Sequence, residues 1–216
     1  VGLSAIHKAH LAAALGLDTG RPVLVLTDDD NAANRFAADL RGFSERDVVQ
    51  LPSRELVMAD VVGVSRGYEQ RRLAALDELA EAHFAVASVQ AAAQRTMPPE
   101  ALKAAIVSLA TGETAPLDEL AQSLTRAGYE RCVQVEGTGQ FSIRGGILDV
   151  FPPQAEHPYR VEFWDDEIDS ISTFDVGSQR RLEQCECLRC LPCMESIPAL
   201  AKGGAAGLAK AVLALT

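Results

Sequence analysis

The first residues that could do chemistry lie at the start of the chain, in the string GLSAIHKA. This string partly matches the phosphate-binding pattern G-x-x-x-x-G-K-[ST], in which backbone N–H groups wrap the phosphates, the lysine neutralises their charge and the hydroxyl holds Mg²⁺. Gly2 and Lys8 fit the pattern, but His7 stands in place of the second glycine and Ala9 in place of the hydroxyl residue. The match is either an accident or the remainder of a nucleotide site, and both interpretations predict that the chain binds no ATP.

Cysteines form the second group with chemical potential. The string CECLRCLPC contains Cys185, Cys187, Cys190 and Cys193, and four thiolates could ligate zinc or part of an iron–sulfur cluster. Cysteine also packs as a small apolar residue, and in a strand Cys185 and Cys187 would face one way and Cys190 the other. We therefore predict no metal site and no cofactor, with a cysteine-ligated metal as the alternative.

The acidic string DDEID, residues 165–169, could in principle bind Mg²⁺ or Ca²⁺ through its carboxylates. The central glycine of the calcium-loop pattern is missing. The string therefore predicts a hairpin turn with solvated charge.

Composition limits the functions that these groups could serve. The chain has 216 residues and a formal net charge of −10, so its whole surface is not expected to attract nucleic acid. Sixteen of the 20 basic residues are arginine, so an anionic contact would be made mainly by arginine. No apolar run is long enough for a membrane span, and an odd number of cysteines is typical of free thiols in the cytoplasm.

Buried strands alternate with helices in the first part of the chain. Apolar runs at 23–27, 47–52 and 84–89 predict three strands, and helical periodicity predicts helices that include 3–17 and 66–82. This order is typical of a parallel sheet with helical crossovers. It predicts an α/β unit over residues 1–98, which ends at Pro98-Pro99.

The pattern changes after this boundary. A helix is predicted at 116–127, followed by strands separated by Gly-rich or acidic turns, with a last strand at about 183–191. Residues 99–193 are thus predicted to form an α+β domain of antiparallel hairpins. Residues 194–216 are rich in alanine, glycine and leucine and predict the start of a helical segment that returns to the first unit.

The longest informative string is GQFSIRGGILDVFPPQAEHPYRVEFWDDEIDSISTFD, residues 139–175. It closely resembles the UvrB-like module at the amino terminus of the bacterial transcription-repair coupling factor (Mfd), and the flanking strings SRGYEQRRLAALDEL, MPPEAL and AGYER resemble it as well. The resemblance implies a degenerate helicase-type, P-loop-like α/β unit with an inserted α+β domain. It also implies that GLSAIHKA is the relic of a P-loop.

The resemblance carries expectations about partners. In this family the amino-terminal module recruits UvrA, the damage sensor of nucleotide excision repair, and is not itself catalytic. The ATP-driven DNA translocase and the RNA-polymerase-binding domain lie further along the full-length protein. The rival functions are a nucleotide- or DNA-handling ATPase domain and, with less support, a metal module built on the cysteines.

Three residues correspond to the family's UvrA-contacting surface: Arg144, Arg160 and Trp164. The family more usually has phenylalanine at the position of Trp164. Arginine offers a planar fork of donors for carboxylates, and tryptophan offers a large contact area at low entropic cost. Strand alternation predicts that Phe163 faces the core, so that Trp164 shares the opposite face with Arg160.

Overall fold

The structure, a computed structural model, describes residues 2–54 and 67–195, together with residues 203, 206, 207, 210 and 213. It divides into two compact units, Val1–Thr96 and Met97–Thr216. The returning helical segment predicted at 194–216 lies almost entirely outside the described residues.

The first unit is a parallel α/β unit, as predicted. Its sheet has the strand order β1-β3-β2, and both neighbouring pairs are parallel. One face of the sheet packs against α1 and α2, and the other packs against α3 and α4. The elements are α1 (Ala5–Thr19), β1 (Val23–Thr27), α2 (Asp30–Arg41), β2 (Val48–Leu51), α3 (Gly67–Leu79), β3 (Phe84–Ser88) and α4 (Val89–Ala93).

A carboxylate joins the carboxyl ends of two of these strands. Asp30, at the start of α2, accepts hydrogen bonds from the backbone and hydroxyl of Ser53, after β2, and from the hydroxyl of Ser88, at the end of β3. Burial acts to raise the pKa of Asp30, but the hydrogen bonds outweigh it and the pKa is lowered. Through these three hydrogen bonds the Asp30 carboxylate connects the start of α2 to the ends of β2 and β3.

Helix α1 continues through Gly16 and ends at Gly20, whose φ of 65° lies in the left-handed region that favours glycine. Gly16 is instead a packing residue. A Cβ at this position would lie 2.5 Å from Cε1 and 2.7 Å from Cζ of the buried Phe84 ring. Glycine at position 16 thus allows α1 to approach β3 closely.

This contact predicts whether a substitution at Gly16 stabilises or destabilises the first unit. Alanine normally stabilises a helix by about 1 kcal/mol relative to glycine. We expect Gly16→Ala to destabilise the first unit by about 1–2 kcal/mol instead, because overpacking a core costs about 1–3 kcal/mol. Hydrogen exchange of the β3 amides measures the effect. Ala14→Gly, on the exposed side of α1, is the control and should cost about 1 kcal/mol through propensity alone. Slower exchange in Gly16→Ala would contradict the packing role.

The second unit has a six-stranded sheet of order β10-β9-β8-β7-β6-β5 and a two-stranded sheet of β11 and β4. All pairs are antiparallel except β5 with β6. The elements are α5 (Pro99–Ala105), β4 (Val107–Ala110), α6 (Leu117–Arg126), β5 (Glu130–Arg131), β6 (Gln140–Arg144), β7 (Ile147–Val150), β8 (Tyr159–Trp164), β9 (Glu167–Phe174), β10 (Arg181–Cys185) and β11 (Cys187–Cys190).

The prediction of one last strand at about 183–191 is wrong. The segment forms two strands that pair in different sheets, β10 with β9 and β11 with β4. Glu186 lies between them, and its carbonyl accepts a hydrogen bond from Thr111 N–H, which aligns β11 along β4. Apolar patterning did not reveal this change of partner because the break falls on a single residue, Glu186, and alternation along a strand does not identify the strand it pairs with.

The core of the second unit lies between one face of the six-stranded sheet, helix α6 and the small sheet. Leu148 and Val161 contribute from the sheet and Leu124 from the helix, and all three are fully buried. The side chains at alternate positions of the same strands point away from this core. They form the face described next.

Candidate protein-interaction face

Strand register gathers polar side chains on the face of the six-stranded sheet opposite the core. Cross-strand partners lie on the same face of a sheet. One row runs from Ser142 through Asp149 and Arg160 to Ser172, and the next runs from Arg144 through Ile147 and Glu162 to Ser170. We call this surface, together with Trp164, the arginine face.

Asp149 lies at the centre of the arginine face and is almost completely buried. Its Oδ2 accepts a hydrogen bond from Arg144 Nη2 at 2.6 Å. Its two oxygens also accept a pair of bonds from Arg160, from Nε at 2.7 Å and from Nη2 at 2.9 Å. One carboxylate therefore holds two arginines.

Arg160 is largely enclosed by the protein, with a side chain that is only 19% exposed. Besides its paired bonds to Asp149, it donates to the side-chain oxygen of Gln179 at 3.2 Å and lies 3.5 Å from that residue's backbone carbonyl. Its guanidinium also stacks over the buried Phe174 ring, 4.5 Å from the centroid. The hydrogen bonds to Asp149 raise the pKa of Arg160, so its guanidinium stays charged at any physiological pH.

Arg144 is held less completely, and its side chain is 48% exposed. Within the described residues its guanidinium donates one hydrogen bond, from Nη2 to Asp149. On strand β8, Glu162 accepts hydrogen bonds from Ser170 and Arg181, each at 2.8 Å. Both bonds lower the pKa of Glu162, and the bond from Ser170 has the larger effect. The half-exposed Arg144 is thus the arginine best placed to meet another molecule.

Trp164 ends strand β8 and is 82% exposed, whereas Phe163 is partly buried against the core. The structure therefore confirms that these two rings face opposite sides. Asp165, with a φ of 58°, begins the turn to β9, so the acidic string starts in a hairpin turn as predicted. Asp166 and Ile168 exchange backbone hydrogen bonds with the segment 112–115. The exposed indole is consequently carried on a fixed hairpin.

The P-loop-like start has a local structure unlike a phosphate cradle. Ser4 precedes α1, and its hydroxyl lies 2.7 Å from Nδ1 of His7, which places a ring at the beginning of the helix. Ala9 is fully buried, so a hydroxyl at that position would point into the core. Lys8 lines a cleft that it shares with Arg35 and with Asp28 and Asp39, so two carboxylates offset its two cations and the cleft lacks a positive field for phosphate.

The four clustered cysteines do not converge. Cys187 is exposed, Cys190 and Cys193 are buried, and Cys185 packs at the margin of the core. The prediction that the Cys185 and Cys187 side chains face the same side of one strand is wrong. Strand β10 ends at Cys185 and β11 begins at Cys187, and the two strands pair in different sheets. Burial raises the pKa of Cys190 to about 12, so this thiol stays protonated. The part of the chain that the structure describes contains no group of three or more His, Cys, Asp or Glu residues suited to a metal ion.

Sequence reasoning missed Asp149, Phe174 and Gln179. One signal was available for Asp149, which is a single charge inside the apolar run ILDV, next to strings that contain both arginines. Gln179 gave no signal, because its role depends on a left-handed backbone with a φ of 59°.

Comparison with known proteins places this face within a protein class. Residues 107–195 match the family model described as the UvrB interaction domain, and this range includes the whole six-stranded sheet. The second unit therefore contains a domain of the UvrB interaction class.

Full-length relatives extend the match over most of the chain. This chain is 34% identical to the transcription-repair-coupling factor of Bacillus subtilis over 91% of the chain's residues. It is 32% identical to the factor of Escherichia coli over 87% of the chain's residues. The factor of Mycobacterium tuberculosis is 35% identical over 85% of the chain. The family expected from the sequence is thus confirmed, and the chain is a relative of the bacterial transcription-repair-coupling factors. It covers 17%, 16% and 16% of these three proteins, respectively, or about a sixth of their length.

Proposed function

We propose that this chain is the part of a transcription-repair coupling factor that recruits the UvrA damage sensor of nucleotide excision repair to stalled RNA polymerase. The observation that carries the proposal is the exposed Trp164 at the edge of a sheet face that also presents Arg144. An exposed large aromatic beside an arginine is the typical composition of a binding hot spot. The face lies within the residues that match the UvrB interaction domain.

The remaining parts of the proposal concern the whole protein. RNA polymerase and DNA would be bound by regions beyond residues 1–216, and ATP-driven translocation would take place there. Residues 1–98 would be a degenerate P-loop-like unit, 99–193 the UvrA-interaction domain and 194–216 the start of a returning segment. The protein would act in the cytoplasm, with no membrane partner. The described residues include no helix that is long and apolar enough to cross a membrane.

Capture of purified UvrA on the immobilised chain tests the recruitment role. We expect saturable binding that weakens as the salt concentration rises, because arginine contributes to it. A chain that carries both Arg144→Gln and Trp164→Ser is the matched control. No capture by the unaltered chain, or equal capture by the control, would reject the proposal.

We also expect the chain to bind no ATP. His7 fills the helix start, Ala9 offers no Mg²⁺ ligand, and carboxylates share the cleft with Lys8. Titration of a fluorescent ATP analogue with Mg²⁺ should give no saturation up to about 1 mM, where the binding free energy would be only about −4 kcal/mol. Micromolar affinity, lost in Lys8→Ala, would instead support the nucleotide-handling alternative.

A further inference from the structure

We propose that Asp149 and Gln179 are the positioning residues of the arginine face, which hold Arg144 and Arg160 in the arrangement that a partner meets. Neither residue belongs to the surface expected from the sequence. The inference rests on the proposed function, because it assigns these residues a role at the same surface.

The first support is the charge balance around Asp149. The buried Asp149 carboxylate pairs with two guanidinium groups, those of Arg144 and Arg160, so this cluster of three carries a surplus of one positive charge. The nearby Glu162 is paired with Arg181. Arg160 donates to Asp149 and Gln179 and is only 19% exposed, whereas Arg144 uses a single nitrogen on Asp149 and is 48% exposed. The surplus therefore appears at Arg144, and it suits a carboxylate on the partner.

The second support is the restraint on side-chain motion. A free arginine on a strand surface samples many rotamers, and ordering it on binding weakens affinity. Here Arg160 is held by two oxygens of Asp149, by the Gln179 side chain and by the Phe174 ring. Arg160 in turn fixes the position of the Asp149 carboxylate that Arg144 contacts. The face is ordered before a partner arrives.

The third support is the backbone of Gln179. A φ of 59° is unfavourable for a residue with a side chain, and glycine would adopt it without strain. The conformation is stabilised by the hydrogen bond from Gln179 N–H to the Asp175 carbonyl and by the side-chain amide, which donates to the Val176 carbonyl. In this conformation the amide oxygen faces Arg160. A strained glutamine at this contact is explained by the hydrogen bond that its amide oxygen accepts from Arg160.

The test compares Asp149→Asn with wild type in the full chain. Asparagine keeps the shape and removes the charge that holds both arginines. We expect UvrA affinity to fall about tenfold, as for the loss of a charge-assisted contact, and the Arg144 and Arg160 Nε–Hε NMR signals to broaden or exchange faster. Glu183→Gln, on strand β10 of the same sheet, makes the same change of net charge and should alter neither readout. Wild-type affinity and unchanged arginine signals in Asp149→Asn would overturn the inference.

A second variant covers a failure of Asp149→Asn to fold. Gln179→Gly suits the left-handed backbone, so the fold should be retained while the amide contact to Arg160 is lost. We expect faster exchange of the Arg160 signal and about threefold weaker UvrA binding, and an unchanged Arg160 signal would overturn the inference. The NMR readout needs no partner. A wild-type chain that fails to bind UvrA would therefore reject the proposed function, while the arginine signals still decide the positioning role.

Discussion

Replacing Trp164 with alanine is expected to weaken UvrA binding by about 2 kcal/mol, roughly thirtyfold, as the truncation of an interface hot spot does. The indole is 82% exposed at the end of a hairpin that backbone hydrogen bonds hold in place. Its removal therefore takes contact area from the surface and almost nothing from the core. Calorimetry measures the loss of affinity, and the melting temperature of each variant measures any loss of stability. Together they distinguish a lost contact with UvrA from a disturbed core.

The control for this prediction is Trp164→Phe, which keeps an aromatic ring at this position. It should retain most of the affinity. Equal binding by Trp164→Ala and wild type would show that the indole lies outside the interface. A large fall in the melting temperature of Trp164→Ala would show that the side chain is structural.

Arg160→Ala is expected to have the largest effect on stability of the substitutions considered on the arginine face. Removing one partner of a buried ion pair destabilises a protein by about 3–5 kcal/mol, and the partial exposure of Arg160 reduces the expected cost to about 2–3 kcal/mol. The change would leave Asp149 with Arg144 alone and would uncover the Phe174 ring. Because the chain has two units, hydrogen exchange of the β7 and β8 amides is the appropriate measurement.

Arg144→Ala is the matched control for stability. Its side chain is half-exposed and makes one bond to Asp149, so its removal should cost less than about 1 kcal/mol. UvrA binding should weaken in both variants, directly in Arg144→Ala and through the loss of order on the face in Arg160→Ala. Equal protection of β7 and β8 in the two variants would contradict the buried role of Arg160.

The parts of the fold that were predictable are those with a local signal. Strand β1 was predicted without error and β3 to within one residue, because each is a continuous apolar run between polar turns. The short elements α4, α5 and β4 were not predicted, since five, seven and four residues carry too little periodicity. The prediction of a single strand at 183–191 was wrong, because the alternation of residues along a strand does not show which other strand it pairs with.

The candidate site divides in the same way. Alternation placed Arg160 and Trp164 on one face and Phe163 on the other, and the structure agrees. Exposure cannot be read from alternation, so the sequence predicts that Arg160 offers its guanidinium to a partner. In the structure Asp149 and Gln179 occupy that guanidinium. The contact between Asp149 and Arg160 depends on how two strands are aligned, and the contact between Gln179 and Arg160 depends on a left-handed loop residue. Neither can be predicted from the local sequence.

The central claim is that the arginine face binds UvrA, and calorimetric titration of this chain with UvrA from the same organism tests it most directly. The account predicts a saturable interaction that the double substitution Arg144→Ala and Trp164→Ala weakens by at least about a hundredfold, the combined effect of two hot-spot residues. An absence of binding heat with the wild-type chain, or the same affinity in the double variant, would contradict it.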